Sequence, residues 1–287
     1  MMSARPFTYE RANSIEEAIE MARAEDGNAR FLAGGQSLLP LVNLGLAAPD
    51  TLIDLGRIPS LRTIVSDGAG MSMGAMTTYR ALAESARVRA GLPLLAAALN
   101  YVGNARVRNM GTIGGSLVHN DPAAELPLVM TLLDARYELT DGATTRSVHA
   151  SEFSAGPFET SIGPFEIMTA IRVPPFSGWS WGFREFSYRP GDFAVAAAGA
   201  LVKVENGEIS AIRAGITGTG SGPFRCTSYE EAALGRTVSD LRAVEPLATS
   251  DAPDVMDGIE SSEYRGHVAG VMLSRAVEDA MRAWSAV

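Results

Sequence analysis

The chain has 287 residues, long for one domain and short for three large ones, so two or three modest units are expected. Apolar residues make up 46% and charged residues 20%, and 33 acidic against 24 basic residues give a formal charge of −9, opposite to the usual balance of a nucleic-acid binder. A single cysteine, Cys226, with only His119, His149 and His267 beside it, excludes an internal disulfide, a four-thiolate zinc site and an iron–sulfur cluster, so redox chemistry here needs an organic cofactor or another chain.

An extended start at Phe7–Tyr9 leads into a helix, with Ser14 and Glu17 at capping-box spacing and Ile15, Ala18, Ile19 and Ala22 on one face. Gly27 stops it. Arg30–Ala33 and Thr51–Leu55 read as short strands, completing a small α/β unit near Gly56. A hairpin follows: Ile64-Val65, a turn at Asp67-Gly68, then Met71–Gly74. Thr77 or Thr78 caps a helix to about Ala86, and another runs from about Leu92 to Val102. Met110–Asp121 reads as turns. Asp121-Pro122 has the order of a helix cap and first-turn proline before Ala123–Leu133. Arg136–Thr140 and Thr145–Val148 form a hairpin around Asp141-Gly142, and Glu166–Val173 is a strand ended by Pro174-Pro175, the best domain boundary. Beyond it, strands at Phe193–Val204 and Glu208–Thr217 flank Asn206-Gly207, the strongest hairpin signal in the chain. Glycines 218, 220 and 222 form a flexible link, and helices are expected at Ser228–Leu234, Val238–Thr249 and Ser262–Trp284.

The start, Met1–Pro6, lacks the apolar core of a signal peptide. The longest apolar stretches, around Leu92–Leu99 and Ala194–Val202, fall far short of the ~18 residues of a spanning helix. A cytoplasmic location is expected, and the free cysteine suits a reducing compartment.

Two segments carry chemistry: Leu32-Ala33-Gly34-Gly35-Gln36-Ser37-Leu38 and Gly111-Thr112-Ile113-Gly114-Gly115-Ser116-Leu117. Each holds a Gly-Gly pair followed closely by a hydroxyl. A pyrophosphate needs close backbone approach, N–H groups aimed at oxygens and permissive dihedrals. Neither segment is a Walker A loop or a G-x-G-x-x-G fingerprint. Either could be a plain tight turn; two in one α/β region point equally to a phosphate-bearing cofactor. On that reading, a Cβ at Gly35 or Gly114 is expected to fill space needed by the pyrophosphate.

The sequence resembles the FAD-binding medium subunit of the molybdenum hydroxylases, the group containing aerobic carbon monoxide dehydrogenase, nicotine dehydrogenase and the flavin domain of xanthine dehydrogenase. Besides the two glycine segments, the resemblance rests on Leu52-Ile53-Asp54-Leu55, Gly74-Ala75-Met76-Thr77-Thr78, Arg108-Asn109-Met110, His119-Asn120-Asp121-Pro122-Ala123-Ala124-Glu125-Leu126-Pro127, Gly191-Asp192-Phe193-Ala194 and Glu263-Tyr264-Arg265. It covers nearly the whole chain, in order and at the family's spacing.

The resemblance implies an α+β protein: a PCMH/VAO-type FAD-binding domain of two α/β subdomains, 1–56 and 57–175, and a C-terminal domain, 176–287, with a three-stranded antiparallel sheet and helices. It implies non-covalent FAD, with Leu32, Ala33, Gly34, Gly35, Gln36, Ser37 and Leu38 around the pyrophosphate. Gly111, Thr112, Ile113, Gly114, Gly115 and Ser116 would grip pyrophosphate and ribityl from the other side. Glu125 matches a carboxylate that hydrogen-bonds the FAD chain; an acid there also suits the helix dipole. Val102 and Met168 match apolar positions near the cofactor. Arg184 matches a basic position near the flavin, with a surface ion pair as the alternative. Asp192 and Phe193 lie on a loop approaching the isoalloxazine, where Asp192 could equally serve a turn. His119 is expected to make a structural hydrogen bond. No catalytic side chain and no metal ligand is expected in this chain.

The implied function is that of an electron-transfer flavoprotein. FAD would take electrons from [2Fe–2S] clusters of a small subunit, while a large subunit with the molybdenum cofactor oxidises the substrate, the whole forming a dimer of heterotrimers. Tyr188-Arg189-Pro190 replaces a more basic stretch common in relatives, which leaves the acceptor open among quinone, cytochrome, NAD and oxygen. The alternatives are a stand-alone FAD oxidoreductase of the same fold, a non-catalytic nucleotide-binding module and a degenerate scaffold subunit.

Overall fold

A computed structural model describes residues 6–220, 222–252 and 260–284. Most of the Met1–Pro6 segment read for a signal core therefore lies outside the described residues.

The first unit is a three-stranded parallel sheet. β1 (Thr8–Arg11) leads into α1 (Ile15–Ala24), then β2 (Ala29–Leu32), α2 (Leu38–Asn43) and β3 (Thr51–Asp54), in sheet order β1-β3-β2. Ser14 caps α1 by accepting from the Glu17 N–H, and α1 buries Ala18, Ile19 and Ala22 against the sheet. Leu32 and Asp54 lie side by side where β2 and β3 end, which places the turn 33–37 at the carboxyl ends of the strands.

The second unit contains β4 (Ile64–Asp67) and β5 (Gly70–Gly74), then the short helices α3 (Tyr79–Glu84), α4 (Ala86–Gly91), α5 (Pro93–Ala98), α6 (Ala105–Met110), α7 (Ile113–His119) and α8 (Glu125–Leu132). β6 (Arg136–Thr140), β7 (Thr145–His149), the one-turn α9 (Ala150–Phe153), the small ribbon β8 (Ser154–Gly156) and β9 (Glu159–Thr160), and β10 (Ile167–Val173) complete it. Its main sheet is antiparallel, ordered β4-β5-β10-β6-β7.

The third unit is an antiparallel sheet of β11 (Ser180–Phe186), β12 (Ala196–Glu205), β13 (Glu208–Thr217) and the two-residue edge strand β14 (Phe224–Arg225). α10 (Thr227–Ala233) and α11 (Ser262–Trp284) follow. The β12–β13 turn has Asn206 and Gly207 at φ 54° and 85°, as a type I′ hairpin requires. β12 begins Ala196-Ala197-Ala198-Gly199-Ala200 and is buried on both faces. Small side chains admit close neighbours. A Cβ on Gly182 of β11 would lie 2.0 Å from the Ala276 carbonyl oxygen of α11, and one on Gly199 would lie 2.7 Å from Leu132 of α8. The sheet thus has α11 on one face and the second unit's helices on the other.

Several sequence expectations are corrected. Met110–Asp121, read as turns, contains the helix α7. α8 starts at Glu125 rather than at Asp121-Pro122, because the Asp121 carboxylate accepts from the Ala123 N–H at 2.8 Å and closes a turn first. β11, with three aromatics and a glycine, is a strand that the residues alone do not announce; it pairs along its whole length with β12. Val238–Thr249 is two 3₁₀ turns, Val238–Ala243 and Glu245–Thr249, broken before Pro246.

Candidate functional site

β2 delivers the first glycine turn. Gly35 has φ +70°, Gln36 donates through Nε2 to the Gly34 carbonyl at 3.2 Å, and the Leu39 N–H reaches back to Gly35. Ser37 precedes α2 without a side-chain capping bond, which leaves its hydroxyl available to a ligand.

The second glycine turn is fixed by the segment after β5. The Gly114 N–H donates to the Ala75 carbonyl at 2.8 Å, the Ile113 N–H to Thr77 at 3.0 Å, and the Tyr79 N–H to the Gly111 carbonyl at 3.0 Å. Thr112 caps α7 by accepting from the Gly115 N–H at 3.2 Å. The two turns then meet. A Cβ on Gly34 would lie 2.2 Å from the Met110 carbonyl oxygen, and one on Gly115 would lie 3.3 Å from the Ala33 methyl.

Together they wall one cavity of about 770 Å³, within the range of about 300–1,000 Å³ usual for small-molecule sites. Sixteen sequence-predicted residues line it: Ala33, Gly34, Gly35, Gln36, Ser37, Leu38, Val102, Gly111, Thr112, Gly114, Gly115, Ser116, Glu125, Met168, Asp192 and Phe193. Val102 is held by Arg108, which donates to the Val102 and Gly103 carbonyls at 2.9 and 2.7 Å. The loop bearing Asp192 and Phe193 abuts that same turn at Gly191, and Phe193 is 71% exposed at the rim.

Three predicted residues are not brought there. Leu32 and Ile113 are buried in the protein beneath their turns. Arg184 donates through Nε to Asp279 of α11 at 2.6 Å, on the face of β11 turned away from the first two units. The expectation for Gly35 and Gly114 also changes. A Cβ on Gly35 meets Leu39 at 2.9 Å, and one on Gly114 meets Ala75 at 2.5 Å, so both glycines answer to protein packing. His119 makes a ring contact with Phe158 at 5.2 Å instead of the expected structural hydrogen bond.

The residue-level reading missed Ala75, Met76, Tyr79 and Asp121 as cavity residues. Gly74–Thr78 belongs to the resemblance, yet no local pattern marks it as a wall; the pairing with the second glycine turn does.

Burial governs the cavity's electrostatics. Glu125, 8% exposed, is pushed up to about 7 by desolvation first, with Asp121 adding to the rise. Tyr79, hydrogen-bonded to the Ser116 side chain, is pushed up to about 12, again chiefly by burial. Burial lowers His119. Among the described residues no group of His, Cys, Asp and Glu could hold a metal ion. The cavity thus offers two backbone turns, two serine hydroxyls, a carboxyl whose proton affinity burial raises and an apolar wall that includes Met76, Val102 and Met168. Backbone and hydroxyls suit a pyrophosphate; the apolar wall suits a flat aromatic ring system.

Comparison with known proteins agrees. Residues 5–176 match the family model described as FAD binding domain in molybdopterin dehydrogenase, and residues 181–280 match CO dehydrogenase flavoprotein C-terminal domain. The chain is 34% identical over 275 residues to the glyceraldehyde dehydrogenase medium chain of Sulfolobus acidocaldarius, covering 95% of this chain and 98% of that one. It is 36% identical over 278 residues to the carbon monoxide dehydrogenase medium chain of Afipia carboxidovorans, covering 96% of each. The solved carbon monoxide dehydrogenase of Hydrogenophaga pseudoflava superposes with a TM-score of 0.93 at 34% identity, over 98% of this chain and 99% of that one.

Proposed function

We propose that this chain, which belongs to the family of FAD-binding medium chains of molybdenum hydroxylases, is the subunit that relays electrons from iron–sulfur clusters of a partner to an external acceptor. The observation that carries the reading is the meeting of the two glycine turns, Gly34 against Met110, in the wall of one cavity.

FAD, when bound, supplies the redox chemistry, accepting electrons and passing them on. The protein binds and orients. Ala33 to Leu38 would hold the pyrophosphate by backbone N–H groups and the Ser37 hydroxyl, and Gly111 to Ser116, whose Ile113, Gly114 and Gly115 N–H groups are committed to Thr77, Ala75 and Thr112, would close on it from the other side with the Ser116 hydroxyl. Glu125 donates or accepts a hydrogen bond along the FAD chain. Val102 and Met168 exclude water from the ring, and Asp192 and Phe193 set how closely an acceptor approaches. Arg108 anchors this part of the wall by donating to the Val102 carbonyl.

On this reading the parts are the FAD-binding subdomains 1–56 and 57–175 and the C-terminal domain 176–287. The partners are a large molybdenum-cofactor subunit and a small [2Fe–2S] subunit in a dimer of heterotrimers, working in the cytoplasm. Among the described residues no helix is long and apolar enough to cross a membrane. Purification of the tagged chain from its own cells tests the assembly. Co-purifying molybdenum and iron in stable ratio with flavin support it; a flavin-bearing chain that purifies alone and oxidises substrate directly contradicts it.

A further inference from the structure

Arg146, on β7, reaches across to the segment between β9 and β10. Its Nε donates to Glu166 Oε1 and its Nη2 to Glu166 Oε2, both at 2.6 Å, and Nη2 also donates to the Ser161 carbonyl at 2.6 Å. A guanidinium forked onto a carboxylate fixes direction as well as distance. Glu166 closes the turn from its own side. Its Oε2 accepts from the Gly163 N–H at 2.6 Å, and its N–H donates to the Gly163 carbonyl at 3.1 Å. The ion pair thus ties residues 161–166 at both ends, and the Arg146 fork holds the Glu166 carboxyl below the usual carboxylate range.

That segment is a wall of the cavity: Ile162, Gly163, Pro164, Phe165 and Glu166 line it, none of them singled out by the sequence. The cavity lies between two apolar cores. Phe165 and Ile167 pack with Ala22, Ala29 and Leu55 of the first unit, and these side chains line one end. Val102 and Val107 line the cavity from a separate core, where Gly191 of the Asp192–Phe193 loop abuts Gly103. The glycine turns stand at the junction, since Ala33 packs on the first core and Ile113 belongs to the second. FAD has two flat ring systems joined through a pyrophosphate, so a pyrophosphate at the junction sends one ring to each end. With the isoalloxazine under the Asp192–Phe193 loop, the adenosine goes to the end walled by residues 162–167.

We infer that Arg146 is a positioning residue for the cofactor site: its fork on Glu166 sets residues 161–166 as the wall over the adenosine half of FAD. The inference rests on the FAD reading above. The Arg146 side chain is 43% exposed and does not line the cavity, so it acts through the loop rather than on the ligand. An ion pair this exposed contributes little to global stability. Its effect is local, because a wall already in place spares the ligand the cost of ordering it. Charge acts in the same direction. Glu166 is in the wall, and without Arg146 its carboxylate presents an unpaired charge to an anionic ligand.

The test uses the full chain, stripped of flavin, and compares FAD with FMN, which lacks the adenosine half, and ADP, which lacks the isoalloxazine. Flavin fluorescence follows FAD and FMN, and calorimetry follows ADP. Arg146→Ala is expected to bind FAD and ADP about tenfold more weakly than wild type, the cost of ordering a side chain or two on binding, and to bind FMN as wild type does. Arg146→Lys keeps the charge but not the fork, and its FAD affinity is expected to fall between the two. In a Glu166→Ala background, Arg146→Ala should cost little further, since the interaction is already gone. Thermal unfolding of the flavin-free variants should stay close to wild type. Unchanged FAD and ADP affinities in Arg146→Ala, or FMN weakened as much as ADP, overturns the inference while leaving FAD binding intact. Absence of FAD binding by wild type overturns the cofactor reading itself.

Discussion

Gly34 and Met110 are in backbone contact: a Cβ on Gly34 would stand 2.2 Å from the Met110 carbonyl oxygen and 2.8 Å from the Gly111 Cα. Two glycine turns distant in sequence thereby become one wall. Neither partner atom belongs to a flexible side chain, so the contact admits no adjustment without moving a turn.

Gly34→Ala is therefore expected to destabilise the chain by about 1–3 kcal/mol and to lower flavin content. Gly68→Ala, where a Cβ would meet nothing, is the control and should leave both unchanged. Thermal unfolding and the flavin-to-protein absorbance ratio measure the pair. Equal values for Gly34→Ala and wild type would break the link between turn contact and cofactor.

Asn120 ends α7 in the left-handed region, φ 48°, and its buried amide donates to Ser154 Oγ, the Gly156 carbonyl and the Glu159 carbonyl at 2.7, 2.8 and 2.9 Å. Asn120→Ala loses these bonds and strains the backbone, for an expected cost of about 2–4 kcal/mol. Asn120→Gly keeps the conformation and should be milder by about 1 kcal/mol. Denaturant midpoints of the two variants check the order; a milder alanine would contradict it.

Arg184→Ala removes a partly exposed ion pair with Asp279, expected to be worth about 0–1 kcal/mol, and leaves FAD content at the wild-type level. Loss of flavin in this variant would restore the role its sequence position suggested.

Glu125 also makes the empty chain sensitive to pH. Its carboxyl lies near 4.5 when unfolded and is pushed up to about 7 when folded, so the folded state binds more protons between those values. Stability contributed by the protonated form is complete below the lower value and lost as pH rises to the upper one. Urea unfolding of the FAD-free chain at about pH 5 and about pH 8 should show a loss of up to about 3 kcal/mol that Glu125→Gln does not share. Equal pH dependence in both proteins would exclude a buried, protonated Glu125.

What the sequence made legible was local chemistry. Asn206-Gly207 forms its hairpin whatever surrounds it, and Ser14 caps α1 from within its own turn. What it concealed depends on partners distant in the chain. Gly114-Gly115 reads as a turn, yet it lies in a helix because Ala75 and Thr77 accept from its first N–H groups. β11 is a strand by virtue of β12. The resemblance carried most of the cavity, since motif positions reflect shared backbone. It matches Arg184 to a position near the flavin, whereas strand alternation and the acid opposite turn the side chain to Asp279, the ion pair expected as the alternative.

The central claim is that the two glycine turns form one FAD site, and flavin content tests it most directly. The purified chain, reconstituted with excess FAD and desalted, is expected to carry a single FAD that acid precipitation releases intact. A folded chain that stays colourless after reconstitution would contradict the account.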